Sequence, residues 1–235
     1  MRKWPKKCMK NMYSVSLTEF HRQRFKPIFA HLEQACEQTG IDFYLVGAVA
    51  RDLTMAVHGL EAPRATRDLD LAVLVPEESD YYRLKDTLLA QGDFAEVRGM
   101  PYTLKYAGQT DVDLLPFGGM ELTNHVLLNR GEGVARLAVT GFSEVYEHGT
   151  QLIRLDDQFT FRVCSLPGMV VLKLIAYDDR PEHRVKDLTD IAFILKTTWR
   201  LLKKISTINT LACWKRPFRW SRQPPGFWAD TCSLC

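Results

Sequence analysis

Between residues 17 and 39, Leu17, Phe20, Phe25, Ile28, Phe29, Leu32, Ala35 and Cys36 recur at mixed three- and four-residue spacings. That period predicts an amphipathic helix, interrupted or restarted at Pro27 and stopped by Gly40. Residues 42–46 then form a short apolar run into Gly47, read as a strand, and 48–58 hold good helix formers up to Gly59. A polar loop over 60–67 leads into 68–75, Asp-Leu-Asp-Leu-Ala-Val-Leu-Val, the clearest strand pattern in the chain, which Pro76 ends. Residues 77–90 read as a surface helix with Leu84, Leu88 and Leu89 inward. Strands follow at 103–106 and 110–115, with Gly108 as the turn residue between them. Beyond residue 117 the pattern predicts strands near 134–139 and 159–163, then helices over 166–177 and 184–196 joined by the polar turn at 178–181. The order helix, strand, helix, strand, helix, strand, strand argues for an α+β domain: a mixed sheet flanked by helices, with a helical C-terminal part.

Composition narrows the class without naming a function. The 235 residues are 46% hydrophobic and 25% charged, as in globular proteins. No apolar run reaches the roughly 18 residues of a membrane-spanning helix. Five of the first ten residues are Lys or Arg, but no apolar segment follows, so a secretory signal is not expected. The six cysteines lack the paired C-x-x-C spacing of a metal site, Cys232 and Cys235 forming a single C-x-x-C, and read as reduced, cytoplasmic thiols. Of the 31 basic and 28 acidic residues, seven and one respectively lie beyond residue 196, which leaves the first 196 with a net charge of −3. A mildly acidic body offers no broad nucleic-acid footprint. Residues 197–235 differ in kind, holding four of the five tryptophans and three of the six cysteines with little periodicity. They read as an irregular or partner-binding tail, or as the product of a reading frame slipped near Lys196. The expected organisation is therefore a core over 17–117, strands and helices over 118–196 completing the same domain, and the tail.

Candidate chemistry centres on Asp68-Leu69-Asp70. Alternation along a strand projects Asp68 and Asp70 from one face while Leu69 and Leu71 point into the core. Two such carboxylates repel unless a cation neutralises them, and hard divalent ions such as Mg²⁺ take oxygen ligands. Alone, an Asp-x-Asp at a strand start is more often a turn or a solvated edge. A later strand carries Asp111 and Asp113; Asp113, among Val112, Leu114 and Leu115, needs a partner or a metal, whereas Asp111 reads as a loop-edge residue. Gly47 and Ala48 open a helix at a strand end, where free backbone N–H groups attract an anion such as phosphate. Arg51, one turn further on, adds a charged contact to that anion or forms a salt bridge with Asp52 or Glu61.

Gly47-Ala48, Asp68-Leu-Asp70 and Asp113 together resemble the nucleotidyltransferase superfamily typified by DNA polymerase β, over residues 41–117. The chain to about Lys196 is similar to the AbiEii/AbiGii toxin-type branch, in which a helix with an internal lysine precedes an (R/K)-D-x-x-D helix. Here these correspond to Lys173 and to Lys186-Asp187-Leu-Thr-Asp190. Without the resemblance, Lys173 is a lysine snorkelling from an apolar helix, and Asp187 and Asp190 are an acidic first turn. Alanine at 48 departs from the glycine or serine usual there and removes a hydroxyl that would touch phosphate. The stretch 47–52 also resembles the signature of CCA-adding enzymes, but the 15-residue gap from Asp52 to Asp68 is wider than that group's.

The resemblance implies that Asp68, Asp70 and Asp113 bind two Mg²⁺ ions. Gly47, Ala48 and Arg51 would bind the phosphates of an NTP, and Lys173 would counter charge on the transferred group. The acceptor is a hydroxyl of tRNA, protein or a small molecule, and a cognate antitoxin is an implied partner. The alternatives are a catalytically weak nucleotide- or partner-binding module and a small-molecule (antibiotic) or tRNA nucleotidyltransferase.

Overall fold

Strand alternation sets the layers of the structure. The computed structural model describes residues 12–16, 19–60, 66, 68–122, 125–129 and 133–214. Its strands are β1 (Met12–Val15), β2 (Asp42–Val46), β3 (Leu69–Val75), β4 (Phe94–Val97), β5 (Met100–Tyr106), β6 (Thr110–Gly118), β7 (His125–Asn129), β8 (Val134–Ala138), β9 (Thr150–Leu155) and β10 (Phe159–Cys164). Its helices are α1 (Glu19–Thr39), α2 (Gly47–Val57), α3 (Glu78–Leu89), α4 (Phe142–His148), α5 (Leu166–Asp179) and α6 (Val185–Trp214). Eight strands form one mixed sheet in the order β1-β9-β10-β2-β3-β6-β5-β4, and β7 pairs with β8 separately.

Neighbouring residues of β2 look to opposite faces of the sheet. Phe43 meets Phe161 with ring centroids 5.3 Å apart, and Phe161 meets Phe29 of α1 at 5.1 Å. On the other face Tyr44 packs edge-on against Phe117 at 5.6 Å, and its hydroxyl donates to the Phe142 carbonyl of α4 at 3.0 Å. Leu69, Leu71, Val73 and Val75 of β3 are all buried, as the alternation requires.

Several local features depart from the sequence expectations. Helix α1 runs unbroken through Pro27 instead of restarting there. Phe25, Ile28 and Phe29 are fully buried around the proline, so tertiary packing outweighs the lost backbone bond. Strands β1, β4, β7 and β9 and helix α4 were not anticipated.

The chain divides into two units, Met1–Ile194 and Leu195–Cys235. The irregular tail expected from residue 197 is helical as far as Trp214, because no glycine or proline interrupts the chain between Val185 and Trp214. Within that second unit, the Lys203 ammonium lies 5.3 Å from the centre of the Trp199 ring. The rest of the tail, 215–235, and the expected helix start at 17–18 lie outside the described residues.

Phe161 joins α1 to the sheet through ring contacts with Phe29, Phe43 and Phe159. Phe161→Ala is expected to lower unfolding free energy by about 3–5 kcal/mol in a urea titration. A change below about 1 kcal/mol, within reach of ordinary surface substitutions, would contradict this packing.

Candidate active site

Gly47 is where the strand and helix patterns meet. Strand β2 ends at Val46, whose register partner across the antiparallel pair is Asp70 of β3. The chain then enters α2 with Gly47 at φ +65°, a conformation that side chains disfavour. A Cβ at this position would fall 2.0 Å from Asp70 Oδ2, so the backbone passes directly against the carboxylate. Glycine is required here for space as well as for its dihedral. Val46 precedes the helix without a side-chain cap, so none occupies the first N–H groups of α2.

Asp70 lies beside Asp113 across the parallel β3–β6 pair, and Asp113 lies beside Thr103 across the antiparallel β5–β6 pair. Register partners share a sheet face, so Asp70 and Asp113 project together. Asp68 sits exposed just before β3. Burial, then the neighbouring charges of Asp113 and Asp68, raise the Asp70 pKa to about 7, while the Lys173 ammonium acts in the opposite sense. Burial likewise raises the pKa of Asp113, against the Thr103 hydrogen bond, with Asp111 and Asp68 adding to the rise. The three expected carboxylates therefore sense one another. Asp111, on the same strand, is paired to Lys105 at 2.5 Å.

Three helices bring a second set of charges to this region. Lys173 of α5 donates to Asp187 Oδ1 and Asp190 Oδ2 of α6, both at 2.7 Å. Arg51 of α2 binds Asp52 Oδ1 through Nε at 2.9 Å and through a terminal nitrogen at 2.8 Å, and lies 4.0 Å from Asp190. The salt-bridge partner expected for Arg51 is thus Asp52, with Asp190 close by. Asp187 is buried, and Arg184 lies 3.8 Å from its second oxygen. Asp187 and Asp190 stand three residues apart on one helical face, the signal that lets a single lysine meet both.

Carboxylate oxygens crowded at one face, held partly out of water and raised in pKa, suit a hard divalent cation. Among the described residues, however, no three His, Cys, Asp or Glu side chains already converge as a metal cluster. What the fold supplies is a coupled Asp70–Asp113 pair with Asp68 at its edge.

The family model described as nucleotidyl transferase AbiEii toxin, type IV TA system, matches residues 32–223, and the chain belongs to that family. It is accordingly a nucleotidyltransferase of a toxin–antitoxin family. Among solved structures, the chain is similar to the solution structure of the antibiotic-resistance factor ANT(2'')-Ia, at 12% identity and a TM-score of 0.39. That match covers 80% of this chain and 94% of the other. A crystal structure of ANT(2'')-Ia with adenylyl-2''-tobramycin matches at 10% identity and a TM-score of 0.42, covering 79% and 97%. No curated protein matches the sequence.

The raised Asp70 pKa has a consequence for stability. Between the unfolded value of 3.8 and about 7, the folded protein keeps a proton that the unfolded chain has released. Stability from this group is therefore full below about pH 4 and lost as pH rises through about 7. In EDTA-treated protein, the fall in melting temperature between about pH 5 and pH 8 is expected to be smaller for Asp70→Asn than for wild type. Equal falls in the two proteins would contradict the assignment.

Proposed function

We propose that the protein moves a nucleoside monophosphate from an NTP to a hydroxyl acceptor, using Mg²⁺ ions held by Asp68, Asp70 and Asp113. The observation that carries this reading is the Asp70–Asp113 pair, side by side on parallel strands with Gly47 against it. Divalent cations bound to such carboxylates supply charge neutralisation for the triphosphate and lower the pKa of the attacking hydroxyl.

The chain's own groups do the rest. The backbone N–H groups of Gly47 and Ala48, at the positive end of α2, receive phosphate oxygens. Arg51 is preset by Asp52, so its guanidinium keeps a fixed direction beside that end of the helix. Asp113, beside Asp70 in register, accepts the proton of the attacking hydroxyl. Lys173 has three donors, of which Asp187 and Asp190 take two. The third is left to stabilise charge on the transferred phosphoryl group.

Three acceptor classes follow for screening: tRNA, a protein hydroxyl and a small molecule. The family's toxin–antitoxin character supports a cognate antitoxin as partner. No helix among the described residues is long and apolar enough to cross a membrane, and a cytoplasmic site of action completes this reading.

Pyrophosphate release from NTP in the presence of each acceptor class tests the assignment. Asp68→Asn and Asp70→Asn should each abolish Mg²⁺-dependent release while melting cooperatively; retained release in both variants would overturn it. Ala48→Ser should tighten NTP binding by roughly 1.5–3 kcal/mol, the value of a hydrogen bond to a charged group. Unchanged affinity would put the phosphates elsewhere.

A further inference from the structure

Strand β5 reads Met-Pro-Tyr-Thr-Leu-Lys-Tyr, and its threonine, Thr103, is only 1% exposed. A buried hydroxyl takes a partner, and this one donates to Asp113 Oδ1 at 2.6 Å, the short distance of a bond to a charged acceptor. Register creates the contact. Asp113 stands between Thr103 on one side and Asp70 on the other, all three at one level of the sheet. A β-branched side chain in a strand has few χ1 choices, so the donor is rigid. The fully buried Tyr81 supports the same place: its hydroxyl donates to the Leu114 carbonyl at 3.2 Å and lies 3.4 Å from that of Pro101. Strand pairing itself depends on backbone bonds and does not need the Thr103 hydroxyl.

We propose that Thr103 is a positioning residue, whose hydroxyl holds one oxygen of Asp113 and thereby sets the carboxylate's orientation toward a divalent cation shared with Asp70. This rests on the metal-dependent reading above. At 1% exposed, Thr103 is closed to direct contact with a ligand. It acts through Asp113.

Mn²⁺ titration of the full chain, with free ion followed by electron paramagnetic resonance, reads the site without needing the acceptor. Thr103→Val should weaken Mn²⁺ binding about tenfold, the loss expected for one hydrogen bond to a charged group. Thr103→Ser, which keeps the donor, should stay within about twofold of wild type, well under the value of that bond. Should Thr103→Val fail to fold, Thr103→Cys replaces it: the thiol is similar in size to serine but a weak donor, and the same loss is expected. Wild-type affinity in the valine or cysteine variant would overturn the proposal, as would an equal loss in the serine variant, which would point to the methyl group. Asp113→Asn distinguishes the Thr103 contact from the metal site itself. If it weakens Mn²⁺ binding and Thr103→Val does not, Thr103 alone is misassigned. If neither Asp113→Asn nor Asp70→Asn changes Mn²⁺ binding, the metal site and this inference fall together.

Discussion

Asp70 and Asp113 occupy the same level of neighbouring parallel strands, where like charges repel and burial raises the cost of ionisation. The rest of the site is arranged around that constraint. Gly47 gives the carboxylate the space a side chain would take. Thr103 donates to the far acid, and the positive charge of Lys173 acts on the near one. The surrounding sheet can hold the pair because both strands are anchored elsewhere: Leu69 and Leu71 in the core, and β6 by its pairing on both sides. A strained electrostatic arrangement of this kind is kept by a rigid scaffold and relieved by ligand.

The second charged group has a different character. Lys173, Asp187, Asp190, Arg51 and Asp52 form a chain of ion pairs linking α2, α5 and α6. Its pairs are compact and partly shielded from solvent, so they are worth more as orientation than their surface equivalents. The network keeps a cation near the acidic strands without letting it collapse onto them. In the proposed reading, Arg51 and Lys173 would meet the phosphates already oriented, which is the usual way binding groups avoid an entropic loss when a ligand arrives.

Much of this was legible in the sequence because it follows from local period. The helical face of Phe25, Ile28 and Phe29, the alternating β3 and the glycine at the β2–α2 junction all declare themselves within a few residues. The resemblance to the AbiEii branch added Lys173, Asp187 and Asp190, which their own surroundings describe only as snorkelling or capping residues. The resemblance placed Asp113 with Asp68 and Asp70, but no local pattern gave the cross-strand register or the Thr103 contact. That Asp113 meets Asp70 in register, and that Thr103 meets Asp113, depends on a strand order that no single segment specifies. The continuous α1 was hidden by Pro27, whose local cost is outweighed by burial of the residues around it. Helical backbone beyond residue 196 was hidden by an unusual composition. Continuity there follows from the lack of a helix breaker before Pro217.

In the proposed reaction the bond broken lies between the α- and β-phosphates. Parallel incubations with α-³²P- and γ-³²P-labelled NTPs, with Mg²⁺ and each acceptor class, test it most directly. Label is expected in the acceptor from the α position alone, with the γ label released as pyrophosphate, and none from the Asp70→Asn protein. Label carried from the γ position, or α label transferred equally by Asp70→Asn, would contradict it.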